Sequence, residues 1–169
     1  MGETLDSILN QYGDFHEYII NKAKLNKSEV IVINCKKEEE PPNLENIKGT
    51  IITGSHSMVP DYESWSVKIS QWLKKVVETN ILVLGICYGH QILAYNDNDS
   101  TQSFSYKNHI WGIKFYPEFL ANITKEYMKF DKEEIVNKGK NYEEIYEKIE
   151  ENNYGEILLN RFIEIVNES

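Results

Sequence analysis

Short apolar runs alternate with amphipathic segments along the first half of the chain. The runs at 29–34, 49–53 and 81–84 are rich in β-branched residues or leucine, have the length of strands and are apolar on both faces, as buried parallel strands are. Residues 14–24 and a second segment that opens at Pro60 instead repeat apolar residues every three or four positions, which predicts amphipathic helices. Alternating strands and helices indicate a parallel sheet covered by helices.

A different pattern begins after the polar stretch that follows Tyr95. Residues 102–106 and 109–116 predict two further strands. Lys107 and Asn108 lie between them, where a tight hairpin turn is expected. These two strands are therefore predicted to be antiparallel neighbours.

Beyond Phe119 the chain is predicted to be helical. Asn122 and Asn141 are suitable N-caps, and Gly155 is expected to separate the last two helices. No internal repeat or domain boundary interrupts the pattern. We therefore predict a single domain spanning residues 1–169, of the α/β class: a three-layer, mainly parallel sheet with helices on both faces and a helical C-terminus.

Composition narrows the classes of partner and location. The 169 residues carry a formal net charge of −9, and Arg161 is the only arginine, whereas binding of nucleic acid requires clustered lysine and arginine. No apolar run approaches the roughly 20 residues that span a bilayer, and the N-terminus lacks the features of a signal peptide. Cys35 and Cys87 have neither disulfide nor metal-ligand spacing. We expect a cytoplasmic protein without nucleic acid, membrane, metal or cofactor partners.

Cys87 stands in the most informative part of the sequence. The apolar run 81–84 leads directly into Gly85-Ile86-Cys87-Tyr88-Gly89. A nucleophile on a sharp strand-to-helix turn needs glycine on both sides, because the backbone leaves room for little else. The N-terminus of the following helix is expected to favour the thiolate of Cys87, and the N–H of Tyr88 is expected to face a developing oxyanion. A small buried cysteine at a glycine-rich turn is the alternative interpretation.

Three motifs resemble those of class I glutamine amidotransferases and occur in that family's order. They are the nucleophile motif at 85–91, the glycine loop Ile51-Ile52-Thr53-Gly54-Ser55, and Trp111-Gly112-Ile113-Lys114-Phe115-Tyr116-Pro117-Glu118, which resembles the family motif that ends in His-Pro-Glu. Gly2-Glu3-Thr4, Gln11-Tyr12-Gly13-Asp14-Phe15 and the helical tail resemble the bacterial subgroup described as GMP-synthase-like. The resemblance covers nearly the whole chain and implies the flavodoxin-like fold of the family.

The resemblance also implies a reaction and a partner. A Cys-His-Glu triad hydrolyses the side-chain amide of glutamine to glutamate and ammonia, and a synthetase or another acceptor protein takes the ammonia. The residues that correspond by motif position are Cys87 as the nucleophile, Glu118 as the acid that orients the histidine, Gly54 (with Ser55 beside it) and Tyr88 as oxyanion donors, and Gln91 as a substrate contact.

Tyr116 occupies the position of the triad histidine. A phenol with a pKa of about 10 is a poor base at neutral pH and cannot take up a positive charge as imidazole does. Losing general acid–base assistance costs about 10²- to 10⁴-fold in rate, and losing one member of a cooperating triad costs up to about 10⁶-fold. The sequence therefore predicts that glutaminase activity is weak or lost.

Another histidine could replace the missing base. His56, in the glycine loop, is the best-placed candidate, although a solvated loop histidine is the simpler interpretation. His90 lies one turn after Cys87 and is predicted to be a packing or hydrogen-bonding residue. His16 and His109 lie in a helix and a hairpin, where nothing assigns them a role.

Two segments that the family has are missing from the pattern. Met1 stands where a first strand should end, and Ala94 is followed almost directly by the polar stretch and the hairpin. The sheet is therefore expected to lack a central strand, and the glutamine pocket one wall. Two other interpretations remain: a non-catalytic protein of the same fold that binds a partner or a small amide, and an unrelated cysteine hydrolase on a similar scaffold.

Overall fold

Residues 4–55, 64–94 and 102–169 are described by the computed structural model of the chain, and four strands among them form one mixed sheet. The strands are β1 (Gly49–Ile52), β2 (Leu82–Ile86), β3 (Ser103–Tyr106) and β4 (Ile110–Ile113), in the spatial order β1-β2-β4-β3. β1, β2 and β4 run parallel, with Ile51 opposite Leu84, whereas β3 is antiparallel to β4. The mainly parallel sheet predicted from the sequence is confirmed.

Helices make up most of the remaining described chain. They are α1 (Asp6–Tyr12), α2 (Phe15–Lys22), α3 (Ser64–Val77), α4 (Tyr88–Leu93), α5 (Ala121–Phe130), α6 (Lys132–Asn137), α7 (Tyr142–Glu147) and α8 (Tyr154–Glu168). The predicted start of α3 at Pro60 lies outside the described residues. Among the helices of the described segments, none is long and apolar enough to cross a membrane.

The helices pack on both faces of the sheet, which confirms the three-layer arrangement. On one face, Leu73 and Val76 of α3 join Val83 of β2 in one buried apolar cluster. On the other face, α2 and α8 cover the sheet, and Leu159 of α8 joins Leu84 of β2 in a second cluster. β2 is buried at every position because both clusters contact it.

Local signals in the sequence place α2 and the hairpin where they were predicted. The Asp14 carboxylate accepts a hydrogen bond from the N–H of Phe15, and the N–H of Asp14 donates to Glu17, so a capping box satisfies two donors at the start of α2. Lys107 and Asn108 have φ values of 51° and 60°, as both central residues of a type I′ hairpin turn require.

The strand predicted at 29–34 is wrong. Lys27–Glu29 forms a single 3₁₀ turn; Val30 after it is extended, and residues 30–34 belong to no strand. Ile31 and Val32 are 64% and 44% exposed, although a buried strand was expected. The segment has strong strand propensity, but a strand forms only when a neighbour pairs with it. Here a cavity separates the segment from β1.

The helical tail is confirmed, with two corrections to its boundaries. Asn141 caps α7 as predicted, because its side-chain oxygen accepts a hydrogen bond of 3.2 Å from the N–H of Glu144. Asn122 lies inside the first turn of α5, so its prediction as an N-cap is wrong. Gly155 lies in the first turn of α8 and not between two helices. A Cβ atom there would lie 1.8 Å from the carbonyl oxygen of Pro117, so glycine is required by packing rather than by a helix end.

Candidate active site

Cys87 lies on a sharp turn between β2 and α4. Its φ of 49° and ψ of −96° are strained for a residue with a side chain, and its N–H donates to the carbonyl of Ile113 at 2.8 Å, which ties the turn to β4. A Cβ on Gly89 would lie 2.3 Å from the carbonyl oxygen of Ile52, and one on Gly85 would lie 2.6 Å from the backbone of Gly89. The two glycines therefore allow the turn to pack directly against β1.

The thiol of Cys87 faces a hydroxyl group. Tyr116 donates a hydrogen bond of 2.9 Å from its OH to the Sγ of Cys87, and the N–H of Tyr88 provides a second. Burial raises the pKa of the Cys87 thiol above its ordinary value of 9.0, and the two hydrogen bonds offset this only in part. Burial therefore outweighs the expected stabilisation of the thiolate at the N-terminus of α4.

Tyr116 is held in an aromatic cluster with Phe15, Phe119 and Tyr127. Its ring stacks on Phe119 at 4.5 Å between centroids and lies parallel to Phe15 at 6.1 Å. Gly54 touches the other edge of the ring, because a Cβ there would come within 2.5 Å of Cε1. Burial, together with Cys87, raises the pKa of Tyr116 well above its ordinary value of 10.0. At neutral pH this phenol keeps its proton and acts as a donor.

Glu118 is buried without a partner for its carboxyl group. The residue is 1% exposed, and neither side-chain oxygen receives a hydrogen bond from another residue of the described chain. Burial raises its pKa from 4.5 to about 8, and the positive charge of Lys22 lowers it only in part. At neutral pH the carboxyl group is therefore mostly protonated, and it makes no hydrogen bond to Tyr116.

Tyr88, Ser55 and Gln91, the remaining residues predicted for the site, lie around the Cys87 turn. The Tyr88 side chain is buried, donates to the Ser66 hydroxyl at 2.6 Å and packs on a tryptophan, so only its backbone faces the thiol. Ser55 is buried beside Gly54. Gln91 lies one turn after Cys87 and is half-buried. The structure thus brings Cys87, Tyr116, Gly54 and the N–H of Tyr88 together.

The histidines of the described residues contact side chains or backbone groups other than Cys87. His90 is buried and its ring packs on Phe104 at 5.3 Å, as predicted for a packing residue. His109 places Nδ1 2.8 Å from the carbonyl oxygen of Lys107, and His16 lies 3.7 Å from Asp14. His56 lies outside the described residues. Across the ranges the structure describes, no three His, Cys, Asp or Glu side chains converge to hold a metal ion.

Three residues near the site were not predicted from the sequence to belong to it. Phe15 and Phe119 stack beside Tyr116, and Lys22 donates from Nζ to the carbonyl of Phe119 at 2.8 Å. Phe15 was predicted to lie on an apolar helix face and belongs to the segment 11–15 that resembles the GMP-synthase-like subgroup, but neither observation placed it at the site. A lysine at the end of an amphipathic helix is too common a feature to indicate a role.

The fold and the site define an α/β domain with a cysteine on a strand-to-helix elbow at the end of a central parallel strand. The family model of glutamine amidotransferase class-I matches residues 7–111, more than half of the chain. The chain belongs to the class I glutamine amidotransferase family, as the three ordered motifs predicted.

Individual relatives agree with this assignment. A crystal structure of a glutamine amidotransferase from Thermotoga maritima is similar in fold, with a TM-score of 0.69 and 17% identity over 92% of each chain. Gamma-glutamyl peptidase 4 from Arabidopsis thaliana is 41% identical over 32% of this chain, and GMP synthase [glutamine-hydrolyzing] 1 from Bacteroides thetaiotaomicron is 32% identical over 44%. These last two matches span only 22% and 13% of the relatives' own lengths.

The raised pKa of Cys87 predicts slow alkylation at neutral pH. In a Cys35→Ser background, the iodoacetamide reaction of Cys87 should reach half its maximal rate above the range of about 8–9 that is usual for a free thiol. Tyr116→Phe removes a hydrogen bond that stabilises the thiolate and should move this midpoint further upward. A rate-against-pH series on both variants measures it. A midpoint near neutrality, or one that Tyr116→Phe lowers, would contradict the geometry.

Proposed function

We propose that this domain binds the γ-carboxamide of glutamine at Cys87 and hydrolyses it to glutamate and ammonia, at a rate far below that of an intact triad. The observation that carries the proposal is the 2.9 Å contact from the Tyr116 hydroxyl to Cys87 Sγ. Cys87, the proposed nucleophile, lies on the strand-to-helix turn, and Tyr116, a proton donor, occupies the position of the triad histidine. Two relatives are named as a gamma-glutamyl peptidase and a glutamine-hydrolysing GMP synthase, and these activities support a γ-glutamyl carbonyl as the group attacked.

The proposed reaction has two steps. The sulfur of Cys87 adds to the amide carbon while the N–H groups of Gly54 and Tyr88 face the oxyanion, and the C–N bond then breaks. Ammonia leaves with the thiol proton, which Tyr116 can relay, and a γ-glutamyl thioester remains. Water cleaves the thioester, releases glutamate and returns a proton to the sulfur. A synthetase partner is the proposed acceptor of the ammonia.

Proton transfer limits this reaction. The pKa values of Cys87 and Tyr116 are both raised by burial, so little thiolate is present, and among the described residues no neighbouring group is ready to take the proton. The cost is that of losing general base assistance, about 10²- to 10⁴-fold. Glu118, protonated and without a hydrogen bond to Tyr116, does not compensate.

Non-catalytic binding is the second candidate. Two observations favour it. Tyr116 stays protonated and so does not act as a base, and no hydrogen bond joins Tyr116 to Glu118 in the described site. On this hypothesis the same site holds a small amide or a partner's side chain without cleaving it. The two candidates differ in whether Cys87 is needed for release of ammonia.

Ammonia release from glutamine by the native chain, by Cys87→Ala and by Cys35→Ser separates the candidates. We expect the native chain and Cys35→Ser to turn over at about 10⁻¹ to 10⁻³ s⁻¹, since loss of the base reduces a typical kcat of about 10 s⁻¹ by about 10²- to 10⁴-fold. Cys87→Ala should release none. Turnover near 1 s⁻¹ in the native chain would refute the proposed slow rate. The non-catalytic candidate would be favoured by a different result: calorimetry detects glutamine binding, but the native chain and Cys87→Ala release ammonia equally, at the background rate.

A further inference from the structure

Tyr116 and Glu118 lie in a segment, residues 114–120, that belongs to neither a helix nor a strand. The segment connects β4 to α5. A side chain on irregular backbone stays in one orientation only when packing and hydrogen bonds from neighbouring elements hold it there. The position of the Tyr116 hydroxyl beside Cys87 therefore depends on the contacts that anchor this segment.

Lys22, the last residue of α2, provides one of these contacts. Its Nζ donates a hydrogen bond of 2.8 Å to the carbonyl oxygen of Phe119, and its side chain is only 10% exposed. Lysine is rarely buried to this extent unless its charge is paired. Glu151 lies 3.9 Å from Nζ, and the charge of Lys22 also lowers the pKa of the buried Glu118. Because the ammonium group is enclosed among these partners, it holds the carbonyl of Phe119 in place.

Glu151 anchors the same part of the chain from the turn before α8. Its Oε2 accepts a hydrogen bond of 2.7 Å from the N–H of Ala121, the first residue of α5. The first N–H groups of a helix have no partner within the helix, and Leu120 at the cap position offers no side-chain acceptor. Lys22 and Glu151 are therefore paired with each other and with two backbone groups of residues 119–121.

Phe119 transmits this anchoring to Tyr116. The two rings stack at 4.5 Å between centroids, and the N–H of Phe119 donates to the carbonyl of Tyr116 at 3.3 Å. A shift of the backbone at Phe119 therefore moves the Tyr116 ring as well. The hydrogen bond of 2.9 Å from its hydroxyl to Cys87 Sγ would then weaken, because such bonds depend steeply on distance and angle.

We propose that Lys22 and Glu151 are positioning residues of the candidate active site: they fix the backbone at residues 119–121 and thereby keep the Tyr116 hydroxyl against the sulfur of Cys87. They act through Tyr116 and not on the substrate. Their role in catalysis rests on the proposed hydrolysis of glutamine, but their effect on the thiol does not. Measurements on the thiol therefore test the positioning role whether or not the chain releases ammonia.

The test measures how far Tyr116→Phe raises the pH midpoint of iodoacetamide alkylation at Cys87. Every variant is the full chain with Cys35→Ser. In this parent chain we expect Tyr116→Phe to raise the midpoint by about one pH unit, because the thiolate loses a hydrogen bond. Lys22→Met keeps the apolar stem but removes the donor and the charge. In this background Tyr116→Phe should raise the midpoint by less than about half as much, since the hydroxyl is no longer held at the sulfur.

Other charges near the thiol cancel in this comparison. Glu118 and Lys114 also act on the pKa of Cys87, and Lys22→Met changes the environment of Glu118. Each comparison, however, is made between two chains that differ only at position 116. A general loss of stability in Lys22→Met would likewise leave the effect of Tyr116→Phe unchanged, so a purely structural lysine would not give the expected result.

Lys24→Met is the matched control for Lys22→Met. Lys24 forms an ion pair of 2.7 Å with Glu156, but its side chain is 75% exposed. Its removal should leave the full effect of Tyr116→Phe. An equal effect of Tyr116→Phe in Lys22→Met and in the parent would overturn the proposal. So would the absence of any effect in the parent, or the same reduction in Lys24→Met as in Lys22→Met.

Glu151→Ala tests the second anchor and replaces Lys22→Met if that variant does not fold. Glu151 is 54% exposed, so its truncation should leave the fold intact. The N–H of Ala121 loses its acceptor, and Tyr116→Phe should again raise the midpoint by less than in the parent. If Lys22→Met does not fold, an undiminished effect of Tyr116→Phe in Glu151→Ala would overturn the proposal.

Discussion

Tyr116→His raises the rate of ammonia release from glutamine by about 10²- to 10⁴-fold over the native chain. Imidazole titrates near neutrality, so it can take the proton of Cys87 and return it to the leaving ammonia, which a phenol cannot do. The position is already suitable, because the Tyr116 hydroxyl lies within 2.9 Å of Cys87 Sγ. A side chain at this position is therefore directed at the Cys87 thiol.

Glu118 gives the substituted histidine its second partner. Its carboxyl oxygens have no hydrogen bond from another residue of the described chain, and it lies two positions after residue 116. An imidazole N–H can donate to this carboxylate, and the positive charge on the ring then lowers the pKa of Glu118 and keeps it ionised. Nucleophile, base and orienting acid would then be linked in one chain of hydrogen bonds.

Three further variants control the experiment on Tyr116→His. Tyr116→Phe has neither base nor hydroxyl and should stay at or below the native rate. Adding Cys87→Ala to Tyr116→His should abolish the gain, and adding Glu118→Gln should remove part of it. A histidine variant that binds glutamine with native affinity but gains no activity would show that the base is not the missing element.

The stability of the native chain should fall as the pH rises from about 5 to about 8. In the unfolded chain Glu118 loses its proton near 4.5, whereas in the folded chain burial raises its pKa to about 8. Between these values the unfolded state binds fewer protons than the folded state, so the free energy of unfolding decreases with increasing pH. Below the lower value and above the higher one, both states have the same charge and this contribution stops changing.

Glu118→Gln isolates this effect from all other titrations. The amide has nearly the same shape and no charge, so the decrease between pH 5 and pH 8 should become smaller by roughly 2–4 kcal/mol. Urea unfolding at three pH values measures it. Glu151→Gln is the matched control, because this carboxylate also lies near Lys22, at 3.9 Å, but is 54% exposed; its profile should follow that of the native chain. Parallel profiles for Glu118→Gln and the native chain would contradict the assignment.

The sequence predicted those parts of the fold that depend on local chemistry. Two glycines around Cys87 indicated the elbow, because the turn packs too closely on neighbouring backbone for a Cβ at either position. Lys107 with Asn108 indicated the hairpin, whose turn has positive φ at both residues. Asp14 lies at the predicted start of α2, and the structure shows that its side chain caps this helix. In each case the residues that determine the local structure lie within a few positions of it, so the pattern of the sequence is enough to predict it.

Features that depend on distant neighbours could not be predicted in this way. The segment 29–34 has the composition of a strand, but it forms a strand only if another strand pairs with it. β1 does not pair with it. The pKa of Glu118 depends on burial beneath elements far away in the chain, and the thiol of Cys87 is less acidic than its place at a helix start indicated. Gly155 is explained only by the carbonyl of Pro117 across the domain.

The aromatic cluster around Tyr116 links the stability of the domain to the choice of residue at position 116. Each stacked ring pair contributes about 0.5–1.5 kcal/mol beyond the burial of its surface, and the smaller imidazole ring would lose part of the contact with Phe119 and Phe15. Selection for a stable domain and selection for ammonia release therefore favour different residues at position 116. A gain in ammonia release from Tyr116→His is therefore expected to come with a less stable fold.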